Sequence, residues 1–261
     1  MQVITHYLSK ELSEVEIEFL SDTHIGDAFC KQNQIRKHIE SIASRPNVYV
    51  ICNGDLINNA LCQSVSDTYT ETTNPKGQLD EVYDLLLPIK DRILVIDEGN
   101  HEMRSYKQAG IKPMEQLANM LFSKEGAEMV YTSGAWLLYI SLGQNKGRDC
   151  RQTVYSIYGK HGAGGGKKVG SKMNRLEDMA SVIDADVFVH SHTHVPAIFK
   201  NVRYRVDYRN RSISEHEQTF INTNAWLGFG GYGEEYGFSP ASTSPPKLVL
   251  NGNKRKVTTI L

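Results

Sequence analysis

The chain has 261 residues, of which 40% are hydrophobic, so it is long enough to bury a sizeable core as one large or two small α/β domains. Its 29 Lys and Arg against 30 Asp and Glu exclude a global field that attracts nucleic acid or an anionic membrane. The N-terminus lacks a basic region followed by a long apolar run, and no apolar segment reaches membrane-spanning length. We therefore expect a cytoplasmic protein without a membrane partner.

The first half of the chain alternates strands with helices. Apolar residues predict strands at 2–9 and 14–20, which we expect to pair as a hairpin at a sheet edge. Isoleucines at helical spacing predict a helix at 31–44, before a buried strand at 48–52. The polar segment 56–77 is a loop by composition, either a wall of a substrate pocket or a plain surface excursion.

Further along, helices are predicted at 78–90 and 113–122, with a strand at 93–96 between them. This order implies mostly parallel pairing. We predict a helix at 172–183 that leads into a strand at 187–189. Three antiparallel hairpins are also predicted, the first in a second sheet, and they span residues 136–158, 198–222 and 247–261.

Groups that bind metal follow five of the predicted strands at their carboxyl ends. They are Asp22 and His24, then Asp55, then Asn100 beside His101, then His161, and finally His192 and His194. Ligands of open α/β sheets gather beyond the carboxyl ends of the strands, so we expect these groups at one place. Because one site would draw on this whole span, we treat residues 1–261 as a single domain.

The candidate ligand atoms are all oxygen or nitrogen, from carboxylate, amide and imidazole groups. Such a mixture suits Mn, Fe, Co, Ni or Zn and disfavours a Cys-rich structural zinc site. One carboxylate that contacts two ions would hold them roughly 3.5 to 4 Å apart, as in two-metal phosphatases and nucleases. Asp55 is the natural bridge. We expect two divalent transition-metal ions, with Mn²⁺ as the first choice.

Five motifs in order resemble those of the calcineurin-like metallophosphoesterases, which are DxH, GD, GNH(D/E), H and GHxH. In this chain they are Asp22-Thr23-His24, Gly54-Asp55, Gly99-Asn100-His101-Glu102, His161 and Ser191-His192-Thr193-His194. The resemblance implies a four-layer α/β/β/α sandwich of two mixed β-sheets. A compact chain without an appended domain is typical of bacterial and phage members.

The resemblance also implies roles. It assigns the first metal to Asp22, His24, Asp55 and His194, and the second to Asp55, Asn100, His161 and His192. His101 would be a catalytic residue that assists the transition state and protonates the leaving oxygen. Two departures are mild: Ser191 replaces the usual Gly, and Glu102 stands where Asp is commoner. We expect Glu102 to orient His101 through a hydrogen bond.

The function that this pattern predicts is a binuclear metal-dependent phosphoesterase. We expect a phosphodiesterase that acts on DNA, RNA or nucleotides by in-line attack of a metal-bridging hydroxide. A phosphomonoesterase or protein phosphatase is the alternative, because the same ligands serve those activities. The remote alternative is a non-catalytic scaffold, whose signature would be missing ligands.

Three other segments have more than one interpretation. The Gly-rich stretch 162–170 is either a flexible loop or a phosphate clamp that uses Lys167 or Lys168. The arginines and tyrosines of 203–211 predict a solvated hairpin face, with a phosphate-backbone contact as the minority alternative. The aromatic stretch 226–238 could be a lid, a base-stacking surface or a packed loop.

The remaining histidines receive simpler interpretations. We expect His6 and His216 to be surface or satisfied polar groups, and His38 to lie on the surface of its helix. His190 precedes the last motif and faces the same way as its histidines, so a supporting role beside the ligands stays open.

Overall fold

The computed structural model describes residues 1–62, 64, 66–144 and 151–261. Its strands are Gln2–Tyr7 (β1), Glu14–Leu20 (β2), Val48–Asn53 (β3), Ile93–Asp97 (β4), Tyr131–Thr132 (β5), Trp136–Leu142 (β6), Thr153–Lys160 (β7), Val187–His190 (β8), Ala197–Asp207 (β9), Ser212–Asn222 (β10), Lys247–Asn251 (β11) and Val257–Ile260 (β12). The α-helices are Gln32–Ser44 (α1), Pro75–Leu86 (α2), Glu102–Ala109 (α3), Pro113–Leu121 (α4), Lys124–Val130 (α5), Val169–Asp178 (α6) and Gly231–Glu235 (α7).

The strands form two mixed six-stranded sheets. Sheet I has the order β1-β6-β7-β8-β10-β9, and sheet II has the order β12-β11-β2-β3-β4-β5. Within sheet II, β2, β3 and β4 are parallel neighbours, and within sheet I, β7 and β8 are parallel neighbours. The carboxyl ends of each parallel set therefore meet at one edge of its sheet.

Three apolar clusters hold the layers together. The central cluster joins the facing sides of the sheets, with Phe19 and Val95 from sheet II and Trp136 and Ile157 from sheet I. A second cluster packs α1, α2, α4 and α5 on the outer face of sheet II, and a third packs α6 on the outer face of sheet I. The predicted four-layer α/β/β/α architecture is confirmed.

The predicted N-terminal hairpin is wrong. β1 pairs in parallel with β6 at the edge of sheet I, whereas β2 lies inside sheet II between β11 and β3. The pairing of β1 with β6 continues to Leu8, whose N–H donates to Ser141 O at 2.8 Å. The short connection after Leu8 then passes from sheet I to sheet II. Proximity in sequence suggested a hairpin, but Ile4 of β1 and Ile17 of β2 enter the cluster between the sheets from different sheets.

The boundaries of two helices also differ from those predicted. α2 begins at Pro75 because the Asn74 side chain accepts the Gly77 N–H and proline suits a first turn. It ends at Leu86, and a 3₁₀ helix, Leu87–Arg92, replaces the expected last turn. α6 begins at Val169 and ends at Asp178, several residues before the predicted boundaries at 172 and 183.

The other two predicted hairpins and the β6–β7 pairing are confirmed. Part of the loop that joins β6 to β7 lies outside the described residues. Within the described part of the chain, no helix combines the length and apolar character that crossing a bilayer requires.

Candidate metal centre

Loops that leave five parallel strands converge on one edge of the molecule. From sheet II, β2 leads to Asp22 and His24, β3 to Asp55, and β4 to Asn100. From sheet I, β7 leads to His161 and β8 to His192 and His194. The structure thus brings all seven proposed ligands to the edge where the two sheets meet.

Five of these residues have a left-handed backbone, which side chains other than glycine adopt rarely. The φ angles are 50° for Asp22, 45° for His24, 53° for Asp55, 64° for His192 and 60° for His194. Residues in this region carry strain of about 1 to 3 kcal/mol each, and such strain clusters at functional sites. The conformation turns the chain sharply after each strand and points the side chains at a common centre.

Backbone hydrogen bonds hold two of the strained loops together. The Asp22 N–H donates to Gly54 O and the His24 N–H donates to Asp55 O, each at 3.1 Å. Gly54 itself has a φ of 82°, and a Cβ there would lie 2.7 Å from the Gly99 backbone and from the His161 ring. Only glycine allows this close approach.

One ligand cluster contains Asp22, His24 and His194, whose ligand atoms lie within 4.8 Å of one another. His194 Nε2 is 3.1 Å from Asp22 Oδ1 and 3.2 Å from His24 Nε2. A second cluster contains Asp55, His161 and His192 within the same limit. His161 Nε2 is 3.1 Å from Asp55 Oδ2 and 3.1 Å from Asn100 Oδ1.

Asp55 connects the two clusters. Its carboxylate oxygen and the ring nitrogens of His161 and His192 lie within 4.8 Å of one another. The same limit holds for Asp55 with His24 and His101. The geometry agrees with the bridging role that the sequence predicts for Asp55.

The donor set fits divalent metal ions. Asp22 Oδ1, His24 Nδ1 and His192 Nδ1 are buried and have no hydrogen-bond partner, although unsatisfied buried polar atoms are costly. Neutral imidazole and carboxylate are the groups that transition metals bind. A cation would satisfy the unpartnered Asp22 oxygen and hold the facing imidazoles.

One comparison with known proteins decides the family. The sequence matches the calcineurin-like phosphoesterase profile over residues 17–196, more than half of the 261-residue chain. The chain belongs to the calcineurin-like phosphoesterase family. This family binds divalent metals, and the His and Asp clusters of this member are candidate ligands for them.

Solved structures that match this family member share little sequence with it. A predicted phosphoesterase from Streptococcus pneumoniae TIGR4 is 13% identical, with 95% of this chain and 90% of that chain covered and a TM-score of 0.39. Vacuolar Protein Sorting 29 from Cryptosporidium parvum is 14% identical, with 95% and 97% covered and a TM-score of 0.41. Pseudomonas putida nuclease MPE is 12% identical, with 94% and 87% covered and a TM-score of 0.37. A search of curated proteins finds no match.

Charges in the centre of this phosphoesterase-family chain are strongly paired. Burial alone would raise the pKa of the Asp55 carboxyl, but His161 and His101 hold that pKa well below its usual range. Burial would likewise lower the pKa of His161, but Asp55 raises it to about 10. Asp22 has a pKa of about 2, because His194 outweighs the effect of burial. Cations are therefore favoured at this place, whether protons on imidazole or metal ions.

Asn53, which the sequence motifs do not single out, positions one of the ligands. Its backbone carbonyl lies 2.8 Å from His161 Nδ1, so it accepts that N–H and leaves Nε2 to face the centre. The Asn53 side chain donates to Ser191 Oγ at 2.6 Å and to Lys160 O at 3.0 Å. Ser191, the departure from the family pattern, is thus a hydrogen-bond partner. The only signal in the sequence is that Asn53 directly precedes Gly54-Asp55.

His101 lies at the rim of the centre with its Nε2 3.8 Å from Asp55 Oδ2. Its backbone N–H donates to Asp55 Oδ1 at 2.8 Å, and its Nδ1 lies 2.6 Å from Asn58 O. Since Nδ1–H must donate to that carbonyl, Nε2 is the nitrogen that faces the centre. Burial lowers the pKa of His101 to about 4, although Asp55 acts in the opposite direction.

The predicted contact between Glu102 and the His101 ring is wrong. The Glu102 carboxylate accepts three backbone N–H groups, from Asp55 at 2.9 Å, Gly99 at 2.8 Å and Ile57 at 3.1 Å. Glu102 is the first residue of α3, and its side chain is buried. Because its carboxylate accepts N–H groups from both loops, it holds the loops after β3 and β4 side by side. The residue that follows His101 therefore supports the ligand loops, while Asn58 orients the His101 ring.

A cleft of about 700 Å³ opens beside the second ligand cluster. Asn100 and His161 line the cleft. Its charged lining residues are of both signs, namely Lys107, Lys160 and Arg175 together with Asp97, Glu98 and Asp178. Its volume lies within the usual range for small-molecule sites. His190 also lines the cleft, and its Nδ1 lies 3.1 Å from Asn222 Oδ1, so it supports the wall beside the ligands.

The loops with open interpretations lie around this centre. The first residues of the polar loop after Asp55 lie beside the centre, since the Asn58 carbonyl accepts the His101 Nδ1–H, and a role of this loop as a wall of the substrate pocket stays a prediction. The aromatic stretch begins with Trp226, whose side chain is buried and whose backbone N–H donates to Asp22 O at 3.0 Å. Phe229 is half exposed. From the Gly-rich loop, Gly162 and Ala163 line the cleft, and the phosphate clamp by Lys167 or Lys168 stays a prediction.

The histidines and arginines outside the centre have structural partners. His6 Nε2 lies 2.9 Å from Leu94 O, and His216 lies between Asp184 and Asp186, as expected of satisfied polar groups. The surface placement predicted for His38 is wrong, because it forms an ion pair of 2.8 Å with the buried Glu18. On the β9–β10 hairpin, Arg205 pairs with Asp184, which agrees with a solvated face.

Proposed function

We propose that this chain hydrolyses phosphodiesters of nucleic acid or nucleotides with the help of two divalent metal ions. The observation that carries the proposal is the position of Asp55, whose carboxylate lies in the cluster with His161 and His192 and also within 4.8 Å of His24, a member of the other cluster. No proposed ligand is missing from the sequence, and this argues against a scaffold that has lost catalysis.

The residues that would hold the ions are those that the family resemblance assigns. Asp22, His24, Asp55 and His194 would hold one ion, and Asp55, Asn100, His161 and His192 the other. When bound, such ions, with Mn²⁺ as our first choice, supply Lewis-acid stabilisation of the phosphate and a nucleophile at neutral pH. The protein contributes fixed loops whose ligand atoms are already gathered, so little reorganisation is needed during the reaction.

A diester is favoured by the space beside the ligands. The cleft of about 700 Å³ extends past Asn100 and His161. Such a cleft has room for a substituent on the phosphate that a simple monoester does not carry.

His101 is the residue that we propose for handling the proton of the leaving oxygen. His101→Ala should keep both metal ions, since its Nε2 lies 3.8 Å from Asp55 and the ligands remain. The rate should fall by roughly 10² to 10⁴, the usual size of an acid–base contribution. Metal analysis and steady-state kinetics check both parts, with His6→Ala as the control. Turnover at the wild-type rate would refute this role.

The substrate class is tested with a panel of esters in the presence of Mn²⁺. The panel compares a bis-aryl phosphodiester, an aryl phosphomonoester, cyclic nucleotides, and single- and double-stranded DNA. We expect a higher kcat/KM for diesters than for the monoester. A preference for the monoester would instead support a phosphomonoesterase or protein phosphatase.

A further inference from the structure

Arg104 lies beside the proposed catalytic histidine. It follows His101 by three positions at the start of α3, so the two side chains lie on the same face of the helix. Its Nη2 is 3.0 Å from His101 Nε2, and its Nη1 is 3.0 Å from Asn58 O. Nη1 also lies 3.3 Å from Ser66 Oγ. The half-buried guanidinium is thus fixed against the loop that follows Asp55.

The shared carbonyl of Asn58 determines which atoms face the centre. Because His101 Nδ1–H donates to Asn58 O, His101 Nε2 accepts the hydrogen bond from Arg104 Nη2. That same Nε2 is the ring nitrogen on the Asp55 side, 3.8 Å from Oδ2. An oxygen of a bound phosphate that approaches His101 Nε2 therefore also approaches a positively charged N–H of Arg104.

We propose that Arg104 is a catalytic residue that donates a hydrogen bond to the leaving oxygen of the phosphate ester. The proposal rests on the proposed function. As the bond from the nucleophilic oxygen to phosphorus forms, the bond to the leaving oxygen breaks and its electron pair stays on that oxygen. Arg104 keeps its own proton and stabilises the new negative charge, while the leaving oxygen takes up a proton that comes from water, directly or by way of His101 Nε2.

The chemistry of arginine suits this position better than that of lysine. The guanidinium is planar, stays charged at any working pH and presents several N–H donors in a fixed fork. Here Nη1 donates to the Asn58 carbonyl, and Nη2 is the guanidinium nitrogen that faces His101. A charged donor in a half-buried site forms a stronger hydrogen bond than a neutral one, and the bond strengthens as charge develops on the oxygen.

The test compares Arg104→Ala with wild type on aryl phosphodiesters that differ only in the pKa of the leaving phenol. Removal of one donor to a developing oxyanion costs about 10² to 10³ in kcat. We expect a loss of that size for the poorest leaving group and a much smaller loss for 4-nitrophenol, because a good leaving group needs less stabilisation. Arg104→Lys should recover only part of the rate. Arg36→Ala, at an exposed arginine that pairs with Glu81, is the matched control and should leave the series unchanged.

Two further measurements separate catalysis from positioning. Free guanidinium ion in solution should restore part of the activity of Arg104→Ala. Inorganic phosphate should bind the Mn²⁺-loaded variant at least ~10-fold more weakly than wild type, in keeping with the loss of a charged hydrogen bond. Equal losses across the leaving groups, without rescue and with unchanged phosphate binding, would overturn the proposal.

The phosphate measurement also distinguishes this proposal from the proposed function. Wild type could hydrolyse none of the esters while the Arg104→Ala variant binds phosphate more weakly than wild type. In that case the diesterase proposal fails, and Arg104 is still supported as a phosphate ligand. If wild type hydrolyses diesters and Arg104→Ala does so equally well with every leaving group, the proposal for Arg104 fails alone.

Discussion

Individual residues at the centre are held in conformations that their side chains disfavour. Asp22, His24, Asp55, His192 and His194 all have positive φ, and each lies two or four residues after the end of a strand. The sequence predicts where these residues stand, because each follows an apolar run. It does not predict the left-handed turns, since non-glycine residues adopt them only when surrounding contacts such as the Asp22–Gly54 backbone bond enforce them.

Asp55 is the residue at which a single change should affect both proposed ions. Asp55→Asn keeps the volume and tolerates the positive φ, because Asn adopts the left-handed region more readily than most residues. It removes the charge that both proposed ions would share, so we expect each ion to bind at least ~10-fold more weakly. Metal titration followed by elemental analysis measures this.

Asp27→Asn provides the control for that substitution. Asp27 lies three residues after His24, and its Oδ1 accepts the Phe29 N–H at 2.7 Å. The control makes the same change of charge near the centre without touching a proposed ligand. Two tightly bound ions per Asp55→Asn chain would contradict the bridge.

At the scale of helices and strands, local patterns predict the elements well and their partners poorly. The strands that precede the ligands and the helices α1, α2 and α4 all occur near their predicted positions. The partner of β1 could not be predicted, because Ile4 pairs with Leu138, far away in the sequence. The contacts of Glu102 were missed for a similar reason, since they depend on how α3 turns toward the loops after β3 and β4.

The contact between α1 and sheet II includes a buried charge network. Glu18 of β2 is fully buried and pairs with Arg45 at 2.5 Å, His38 at 2.8 Å and Lys247 at 3.2 Å. Burial alone would raise the pKa of the Glu18 carboxyl, but the hydrogen bonds from His38 and Arg45 outweigh it. They hold that pKa well below its ordinary value of 4.5.

This network predicts a pH dependence of stability. The pKa of the Glu18 carboxyl is lower in the folded state than in the unfolded state. Its contribution to the free energy of unfolding is therefore fully present above pH 4.5 and is lost as the pH falls toward the folded-state pKa. Glu18→Gln should lower the free energy of unfolding at pH 7 by about 2 kcal/mol, because it removes a buried carboxylate charge and leaves the partly exposed Arg45 and Lys247 with Glu16 alone. The difference from wild type should shrink as the pH falls below 4.5.

Urea denaturation between pH 7 and pH 3.5 measures that difference. Glu81→Gln is the control, because Glu81 pairs with the exposed Arg36 and surface pairs contribute only about 0 to 1 kcal/mol. A constant difference between Glu18→Gln and wild type over the whole range would show that Glu18 is not the titrating group.

At the scale of the whole molecule, the centre joins the two sheets. Asp22, Asp55 and Asn100 come from sheet II, whereas His161 and His192 come from sheet I. Asn53 makes a second connection, because its side chain contacts Lys160 O and Ser191 Oγ in the opposite half. Ions held by both sets would therefore connect the sheets at the edge where the unpartnered ligand atoms lie.

This position predicts that metal binding stabilises the entire fold. The unfolded chain does not gather the ligands, so an ion at 100 times its Kd should add about 2.7 kcal/mol to the free energy of unfolding. We expect Mn²⁺ to raise the Tm of chelator-treated protein, and more EDTA to reverse the rise. Because each ion would contact both sheets, near- and far-ultraviolet circular dichroism should show one shared transition at the higher Tm. Asp55→Asn should show a much smaller rise under the same conditions, and an equal rise would place the stabilising ion elsewhere.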